Sequence, residues 1–282
     1  MELALPIAPG PLNTPLKPKE YKSAIKPVWC PGCGHFAVLA AMTKALASLR
    51  LAPESVGVVS GIGCSSRIPA YTAVYGFHGI HGRALPIASG LKAARPDLTV
   101  IAAGGDGDGL SIGGNHFIHA CRRNLDITYI LMDNEVYGMT KGQASPTTAP
   151  DWTNSKLTPH GPGIRPFQPA ALALASGAGF IARAFSGDPT GMTRLIAAAI
   201  EHPGFALVHV LSPCPTFRPD STDWKQIVRE GDWGPTNDPA EAARRVHADD
   251  GFSQGLIYQT DAPAWKPVTG GDARKALEVP AP

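Results

Sequence analysis

Short apolar runs alternate with amphipathic stretches through most of the chain. The runs are rich in β-branched residues and too short for helices, so they predict buried strands. They lie at 56–59, 99–103, 127–132, 180–184 and 206–211. Between them, helical spacing of apolar residues predicts helices over about 38–49 and 114–122, and Asp188-Pro189 is typical of a helix start. This alternation predicts a doubly wound α/β fold built on a mostly parallel sheet.

The two ends of the chain lack this pattern. Residues 1–25 are rich in proline and show no clear period, so we expect an N-terminal arm that wraps a neighbour or stays loose. Residues 220–282 are polar, weakly periodic and rich in tryptophan and charge, which predicts a C-terminal tail that docks on a partner subunit. Residues 26–219 then form the single domain between them.

Composition excludes several classes of partner. The hydrophobic share of 44% is enough for a sizeable core, and the formal charge of +2, without a long basic run, argues against nucleic acid. The N-terminus lacks the basic start and apolar run of a signal peptide, and no stretch of about 20 apolar residues predicts a membrane span. We therefore expect a cytoplasmic protein, in which clustered thiols more often bind metal or do redox chemistry than form disulfides.

Four unusual segments follow predicted strands. They are GIGCSSR at 61–67, GGDGDG at 104–109, DNEVYG at 133–138 and SPCPTF at 212–217. The carboxyl ends of parallel strands lie at one edge of a sheet, and ligands bind there. The sequence thus predicts that these segments converge on one site.

The glycine-rich segment favours a diphosphate and a metal ion. Gly105 and Gly107 allow backbone N–H groups to approach an anion. The Asp106 carboxylate would repel that anion unless a cation lay between them. Asn134, after the next strand, adds a second oxygen, and such oxygens together with phosphate suit octahedral Mg²⁺. The alternative is that Asp106 and Asn134 only stabilise turns.

Asp106 and Asn134, separated by a predicted helix and strand, resemble the thiamine diphosphate motif of thiamine-dependent enzymes. The resemblance implies a sheet of the thiamine diphosphate-binding type, with Mg²⁺ held by Asp106, Asn134 and the carbonyl of Val136. We expect the cofactor to contact the residues around this edge. These are Gly63, Cys64, Ser65, His81, Gly105, Asp106, Gly107, Asp108, Asn134, Val136, Tyr137, Gly138, Met139 and Thr140.

The cysteines suggest a second group. Cys30 and Cys33, in WCPGCGH, lie two residues apart, and Cys64 and Cys214 follow later strands, whereas Cys121 falls within a predicted helix and suits a core thiol. Four such thiols fit either zinc or a [4Fe–4S] cluster, and spacing alone leaves both open. The position of Cys64 at the same edge as the proposed diphosphate favours redox chemistry, in which zinc has no role.

Taken together, the motifs resemble the β subunit of 2-oxoacid:ferredoxin oxidoreductases. They are WCPGCGH, GIGCSSR, HGRALP, GDGDGLSIGGNHFIHACRRN, DNEVYGMTKGQASPT and SPCPTF, and they cover roughly residues 26–220. The resemblance implies that one [4Fe–4S] cluster is ligated by Cys30, Cys33, Cys64 and Cys214. It implies the reversible conversion of a 2-oxoacid and coenzyme A into acyl-CoA and CO₂, with electrons passed to ferredoxin. The catalyst is then the cofactor, and no side chain is assigned as catalytic.

The resemblance also implies an obligate partner. Thiamine diphosphate requires a diphosphate module and a pyrimidine module, and the motifs here account only for the first. In the family the pyrimidine module belongs to the α subunit, so we expect a hetero-oligomer of two αβ units. Its other partners would be ferredoxin, coenzyme A and the 2-oxoacid.

Arg67 is the candidate for substrate recognition. It follows Cys64 by three residues and could clamp a carboxylate, although it could equally be a surface or interface arginine. The resemblance places Met139 and Lys141 near the same pocket and favours 2-oxoglutarate as substrate. Pyruvate or another 2-oxoacid remains an alternative, as does a non-redox thiamine enzyme half with a structural zinc.

Overall fold

The computed structural model describes residues 10–265, whose strands form one sheet in the order β2-β1-β3-β4-β6-β5-β8-β7. The strands are β1 (Val56–Ser60), β2 (Tyr75–His78), β3 (Thr99–Gly105), β4 (Ile127–Asp133), β5 (Phe180–Phe185), β6 (Phe205–Leu211), β7 (Arg229–Glu230) and β8 (Ser253–Gln259). The helices are α1 (His35–Ser48), α2 (Ala84–Ala94), α3 (Gly114–Arg123), α4 (Pro169–Ala175), α5 (Pro189–Glu201), α6 (Trp224–Ile227) and α7 (Pro239–Ala248). Strands β1 to β6 pair in parallel, and β8 is antiparallel to β5.

Helices cover both faces of the sheet. Along β4, Ile130 and Met132 face a core shared with α1 and α5, whereas Tyr129 and Leu131 face a second core shared with α2, α3, α4 and α7. Because successive strand residues point to opposite faces, a strand buried on both sides is apolar throughout. The predicted doubly wound, mostly parallel α/β fold is therefore confirmed.

The predicted strands and helices are all present, with ends that shift by a few residues. The start of α5 also follows the prediction, since the Asp188 side chain accepts a hydrogen bond from the Gly191 N–H at 3.0 Å and Pro189 is the first helical residue. The sequence reading did not identify β2, α2, α4, α7 or β8 as elements.

Both ends of the described chain pack on the domain itself. Tyr21 is fully buried, and its hydroxyl donates to the Leu51 carbonyl at 2.6 Å. At the other end β8 extends the sheet, so the predicted boundary at residue 219 falls inside the fold. This corrects the interpretation of residues 220–265 as a separate tail, while docking on a partner stays a prediction. Residues 1–9 and 266–282, which belong to the predicted arm and tail, lie outside the described part.

Across residues 10–265, none of the helices has both the length and the apolar character needed to cross a bilayer.

Candidate active site at the carboxyl edge of the sheet

The strand order opens a crevice at the carboxyl ends of β1 and β3. These strands are neighbours in the sheet although β2 lies between them in sequence, so the connections that leave them run to opposite sides. Such a point is where ligands bind in open α/β sheets. The loops after β1, β3, β4 and β6 meet here, as the sequence predicts.

A first cavity of about 310 Å³ lies in this crevice. All of the residues expected to contact the cofactor line it, together with His35, Ile62 and Met132. The structure thus brings together residues from the loops after four different strands, β1, β2, β3 and β4.

A second cavity, of about 170 Å³, is lined by Cys30, Cys33, Cys64 and Cys214. The fifth cysteine, Cys121, is buried in the core, as predicted. The two cavities share four lining residues, which are His35, Cys64, Asn134 and Met139. The predicted cofactor site and the predicted cluster site therefore adjoin.

Backbone contacts fix the loops that present the sulfurs. The Cys33 N–H donates to the Cys30 carbonyl at 3.1 Å and closes a turn, and the Cys214 N–H donates to Ser221 Oγ at 2.9 Å. A Cβ atom on Gly138 would lie 3.7 Å from Cys214 Sγ and 3.9 Å from Cys64 Sγ. This glycine therefore lines the space between two sulfurs from different loops.

The thiols are close enough to influence one another. Burial, together with the charges of Cys214, Cys64 and Cys30, raises the pKa of Cys33 to about 12. Thiolates held here therefore need a positive group among them. In the described residues, no three or more His, Cys, Asp or Glu side chains are arranged to hold a metal ion.

Asp106 is buried at the base of the first cavity. Its Oδ2 lies 2.9 Å from Thr147 Oγ1, which is also 2.8 Å from Asp133 Oδ1. Burial, and then the charge of Asp133, raise the pKa of Asp106 to about 7. Two carboxyl groups held this close in a buried site repel each other when both are ionised, so the pair favours a bound proton or cation. A cation would also separate these carboxyl groups from an anion in the cavity.

The loop that carries Asn134 and Val136 is held in an unusual conformation. Asn134 Oδ1 accepts the Val136 N–H at 3.2 Å, and Glu135 between them has a left-handed backbone with φ of 53°. The Glu135 carboxylate pairs with Arg218 at 2.8 Å, and its carbonyl accepts the Thr148 hydroxyl at 2.7 Å. These contacts offset the strain that a left-handed glutamate carries.

Asp108 connects two loops. Its Oδ1 accepts hydrogen bonds from the Ile62 N–H at 2.9 Å, the Gly82 N–H at 2.7 Å and His81 Nδ1 at 2.8 Å. With that oxygen occupied, the geometry gives Asp108 a role in positioning loops. The other ring nitrogen of the His81 side chain, which is half-exposed, is left for the cavity.

Gly107 packs tightly under Tyr137. A Cβ atom at Gly107 would overlap the tyrosine ring, and the Tyr137 hydroxyl donates to the Gly107 carbonyl at 3.3 Å. Position 107 must therefore be a glycine for steric reasons. A glycine there would also allow the backbone to approach an anion.

The predicted substrate residues are only partly brought together. Arg67 lines the second cavity beside Cys64, and Met139 lines both cavities with 48% of its surface exposed. Lys141 is exposed, has a left-handed backbone with φ of 80° and lines neither cavity. Trp29 and Thr147 lie within the motifs WCPGCGH and DNEVYGMTKGQASPT, and Arg218 follows SPCPTF, but no role for these side chains was predicted from the sequence.

Comparison with known proteins places the site in context. The family model described as "Thiamine pyrophosphate enzyme, C-terminal TPP binding domain" matches residues 61–210. The β subunit of 2-oxoacid:ferredoxin oxidoreductase 2 from Aeropyrum pernix is 42% identical, over 85% of this chain and 82% of that protein. 2-Oxoglutarate oxidoreductase subunit KorB from Mycobacterium tuberculosis is 49% identical over 75% of this chain. That second match spans 56% of the Mycobacterium protein, little more than half its length.

A solved structure is similar over nearly the whole chain. It is 2-oxoglutarate:ferredoxin oxidoreductase from Magnetococcus marinus with 2-oxoglutarate, coenzyme A and succinyl-CoA bound. The TM-score is 0.87 at 40% identity, and the alignment covers 95% of this chain and 97% of that one.

Proposed function

This chain belongs to the family of 2-oxoacid:ferredoxin oxidoreductase β subunits, and on that premise we propose that it binds thiamine diphosphate, Mg²⁺ and one [4Fe–4S] cluster. With an α subunit it would convert a 2-oxoacid and coenzyme A into acyl-CoA and CO₂ and reduce ferredoxin. The observation that carries the proposal is the pair of adjoining cavities, one lined by the diphosphate-motif residues and the other by four cysteines.

The donor set of the first cavity suits a hard cation beside a diphosphate. Asp106, Asn134 and the Val136 carbonyl supply oxygens, which Mg²⁺ prefers. The raised pKa of the buried Asp106 is consistent with a carboxylate that needs a cation to stay ionised. When bound, thiamine diphosphate supplies the carbon nucleophile that supports decarboxylation of 2-oxoacids.

The second cavity suits a cluster better than zinc. A single zinc ion draws four sulfurs to about 2.3 Å from one point and has no redox role. A [4Fe–4S] cluster takes one cysteine on each iron and so holds the four sulfurs farther apart. A cluster accepts electrons one at a time, and the shared wall of Cys64, Asn134 and Met139 offers a short path to it.

The residues of this chain would then have distinct tasks. Asp106 and the 134–136 loop orient the diphosphate end of the cofactor, and Gly107 lets the backbone approach it. Asp108 fixes His81 with one ring nitrogen turned to the cavity. Asp106 and Asn134 are buried, and electrostatic contacts are stronger away from bulk water.

An α subunit would complete the site from outside. Ile62, Phe36 and Met139 lie at or near the cavities and keep 38%, 41% and 48% of their surfaces exposed. Apolar side chains at the mouth of a site suit burial by a partner. We propose two αβ units, with the pyrimidine module contributed by α. All five cysteines are unpaired, which fits the expected cytoplasmic location.

We propose 2-oxoglutarate as the substrate. Several relatives carry 2-oxoglutarate in their names, including 2-oxoglutarate synthase subunit KorB from Archaeoglobus fulgidus at 47% identity. Arg67 lies on the wall of the cluster cavity and could pair with the second carboxylate of this acid. Lys141 lines neither cavity, so the proposal of 2-oxoglutarate as substrate rests on Arg67 and Met139.

The test uses the chain co-expressed with its α subunit and purified without oxygen. We expect coenzyme A-dependent reduction of ferredoxin with 2-oxoglutarate and much less with pyruvate, together with bound thiamine diphosphate that Asp106→Ala abolishes. Activity with pyruvate alone would keep the reaction class and overturn the substrate. Thiamine diphosphate content unchanged in Asp106→Ala would overturn the assignment of the site.

A further inference from the structure

A short turn, Ser145–Thr148, contacts Asp106 and the loop that carries Asn134 and Val136. The Thr148 N–H donates to the Ser145 carbonyl at 3.1 Å, and the Ser145 N–H donates to Thr148 Oγ1 at 2.7 Å, so the turn is closed on itself. Its three hydroxyl-bearing side chains are buried. The turn contains no carboxylate, histidine or cysteine.

One threonine of the turn contacts Asp106. Thr147 Oγ1 is 2.9 Å from Asp106 Oδ2 and 2.8 Å from Asp133 Oδ1. A hydroxyl has one proton and donates it to one carboxylate at a time. Asp133 also accepts the Glu135 N–H at 3.0 Å and has His209 Nε2 at 2.9 Å, and Asp106 is also hydrogen-bonded by the Ser145 side chain and the Gly107 backbone. Thr147 is therefore the side chain that joins these two groups of contacts.

The other threonine contacts the loop with the remaining proposed ligands. Thr148 Oγ1 donates to the Glu135 carbonyl at 2.7 Å, and Glu135 lies between Asn134 and Val136. Asp133, at the end of β4, holds the same loop through the Glu135 N–H. Asp106 and the 134–136 loop are thus tied to each other through the turn, although they follow different strands.

The line of contacts ends deep in the sheet. His209 lies on β6, is 4% exposed and faces Asp133 across the β4–β6 pair. Because Asp133 and His209 sit on central strands that are buried on both faces, they form a rigid anchor for Thr147. Polar partners behind metal ligands fix the orientation of those ligands, and their loss weakens metal binding.

We propose that Thr147 is a positioning residue that ties Asp106 to the Asp133–His209 pair and so fixes Asp106 for Mg²⁺. The inference rests on the proposed function for the identity of the metal site. It concerns the protein's own contacts, and it can be tested by metal binding without turnover.

The probe is Mn²⁺, whose free form is measured by electron paramagnetic resonance during titration of the αβ protein with thiamine diphosphate present. Thr147→Val keeps the shape and removes the hydroxyl, and we expect the Mn²⁺ dissociation constant to rise about 10- to 100-fold. Thr147→Ser restores the hydroxyl, so it should stay within about threefold of the unmodified protein.

Thr128→Val is the matched control. Thr128 is also buried, but it lies near the start of β4, at the end opposite Asp133, and its hydroxyl donates to the Ala199 carbonyl at 3.1 Å. We expect it to leave Mn²⁺ affinity unchanged while lowering thermal stability. An equal loss of affinity in Thr128→Val, or none in Thr147→Val, would overturn the inference.

Asp106→Ala separates this inference from the function it rests on. If Asp106→Ala does not weaken Mn²⁺ binding, the proposed metal site itself fails. If it does and Thr147→Val does not, only the role of Thr147 fails. The double variant Thr147→Val/Asp133→Asn should lose less than the sum of its single changes, because both act on one line of contacts. Additive losses would contradict the anchor at Asp133.

Discussion

The indole nitrogen of Trp29 donates a hydrogen bond to the carbonyl oxygen of Cys64 at 2.6 Å. Trp29 immediately precedes Cys30, so this bond ties the loop with the first two cysteines to the loop after β1. The ring is buried and packs edge-on against Tyr71 and His35, with centroids 4.9 Å and 5.6 Å away. Three of the four proposed cluster ligands are therefore held in one rigid arrangement by a residue that is not itself a ligand.

Replacing Trp29 by Phe should loosen that arrangement. The variant keeps an aromatic ring but removes the indole donor of the Cys64 carbonyl, which then retains only the longer contact with the Arg67 N–H at 3.5 Å. We expect a loss of about 1 kcal/mol in the free energy of unfolding. We expect lower iron content per chain after anaerobic purification. Trp224→Phe is the control, since Trp224 is also buried but packs against Phe252 and lines neither cavity. Equal iron in the two variants would contradict a role for the Trp29 bond.

Arg67→Ile should change substrate preference. If Arg67 pairs with the second carboxylate of 2-oxoglutarate inside the site, its loss should cost about 2 kcal/mol or more in kcat/KM for that acid. Pyruvate has no such carboxylate and should lose far less. Arg67→Lys keeps the cation and should recover part of the activity, less than fully because lysine cannot make a bidentate contact. Equal losses for both acids would show that Arg67 is structural.

The buried ion pair between Arg183 and Asp249 should anchor the C-terminal part of the fold. Both side chains are at least 95% buried, and Arg183 also donates to the Ser253 carbonyl of β8 at 2.9 Å. Asp249→Ala would leave Arg183 buried without its counter-charge, which costs about 3–5 kcal/mol. The neighbouring Asp250 pairs with an exposed Arg229, so Asp250→Ala should cost at most about 1 kcal/mol. Chemical denaturation of both variants measures the difference, and similar losses would refute it.

His202 should make stability depend on pH. Burial lowers the pKa of this imidazole, with the charges of Asp126 and Asp261 opposing the effect. The unfolded chain then binds a proton at a higher pH than the folded one, so stability is full above about pH 6.5 and falls as the pH decreases toward the folded-state pKa. We expect His202→Leu to flatten the unfolding free energy between pH 7 and pH 5. The exposed His247→Leu serves as control, and an unchanged slope in His202→Leu would contradict the expectation.

Most of the sheet can be predicted from the sequence because its central strands are buried on both faces. Strands such as β4 are apolar at every position, which short runs reveal directly. The edge strand β2 is exposed along its length, and β8 is an antiparallel strand with a register shift opposite Ile181 and Ala182. Neither leaves a continuous apolar run, so both were missed, and with β8 the continuation of the domain beyond residue 219.

The candidate site can likewise be predicted only in part from the sequence. Gly105, Asp106 and Asn134 could be placed together from sequence because they follow neighbouring parallel strands. Thr147 and Lys141 lie in an irregular loop, where contacts depend on turns that no period encodes. Lys141 has a left-handed backbone and lines neither cavity, which the sequence pattern does not reveal.

We propose that electrons would pass from a cofactor in the first cavity to a cluster in the adjoining cysteine cavity. The most direct test records the visible spectrum of the anaerobic αβ protein after addition of 2-oxoglutarate and coenzyme A, with no ferredoxin present. We expect a brown protein whose cluster absorption bleaches with this substrate. The Asp106→Ala variant should stay brown and should not bleach. A colourless protein that contains zinc, or a brown one that no 2-oxoacid bleaches, would contradict the proposal.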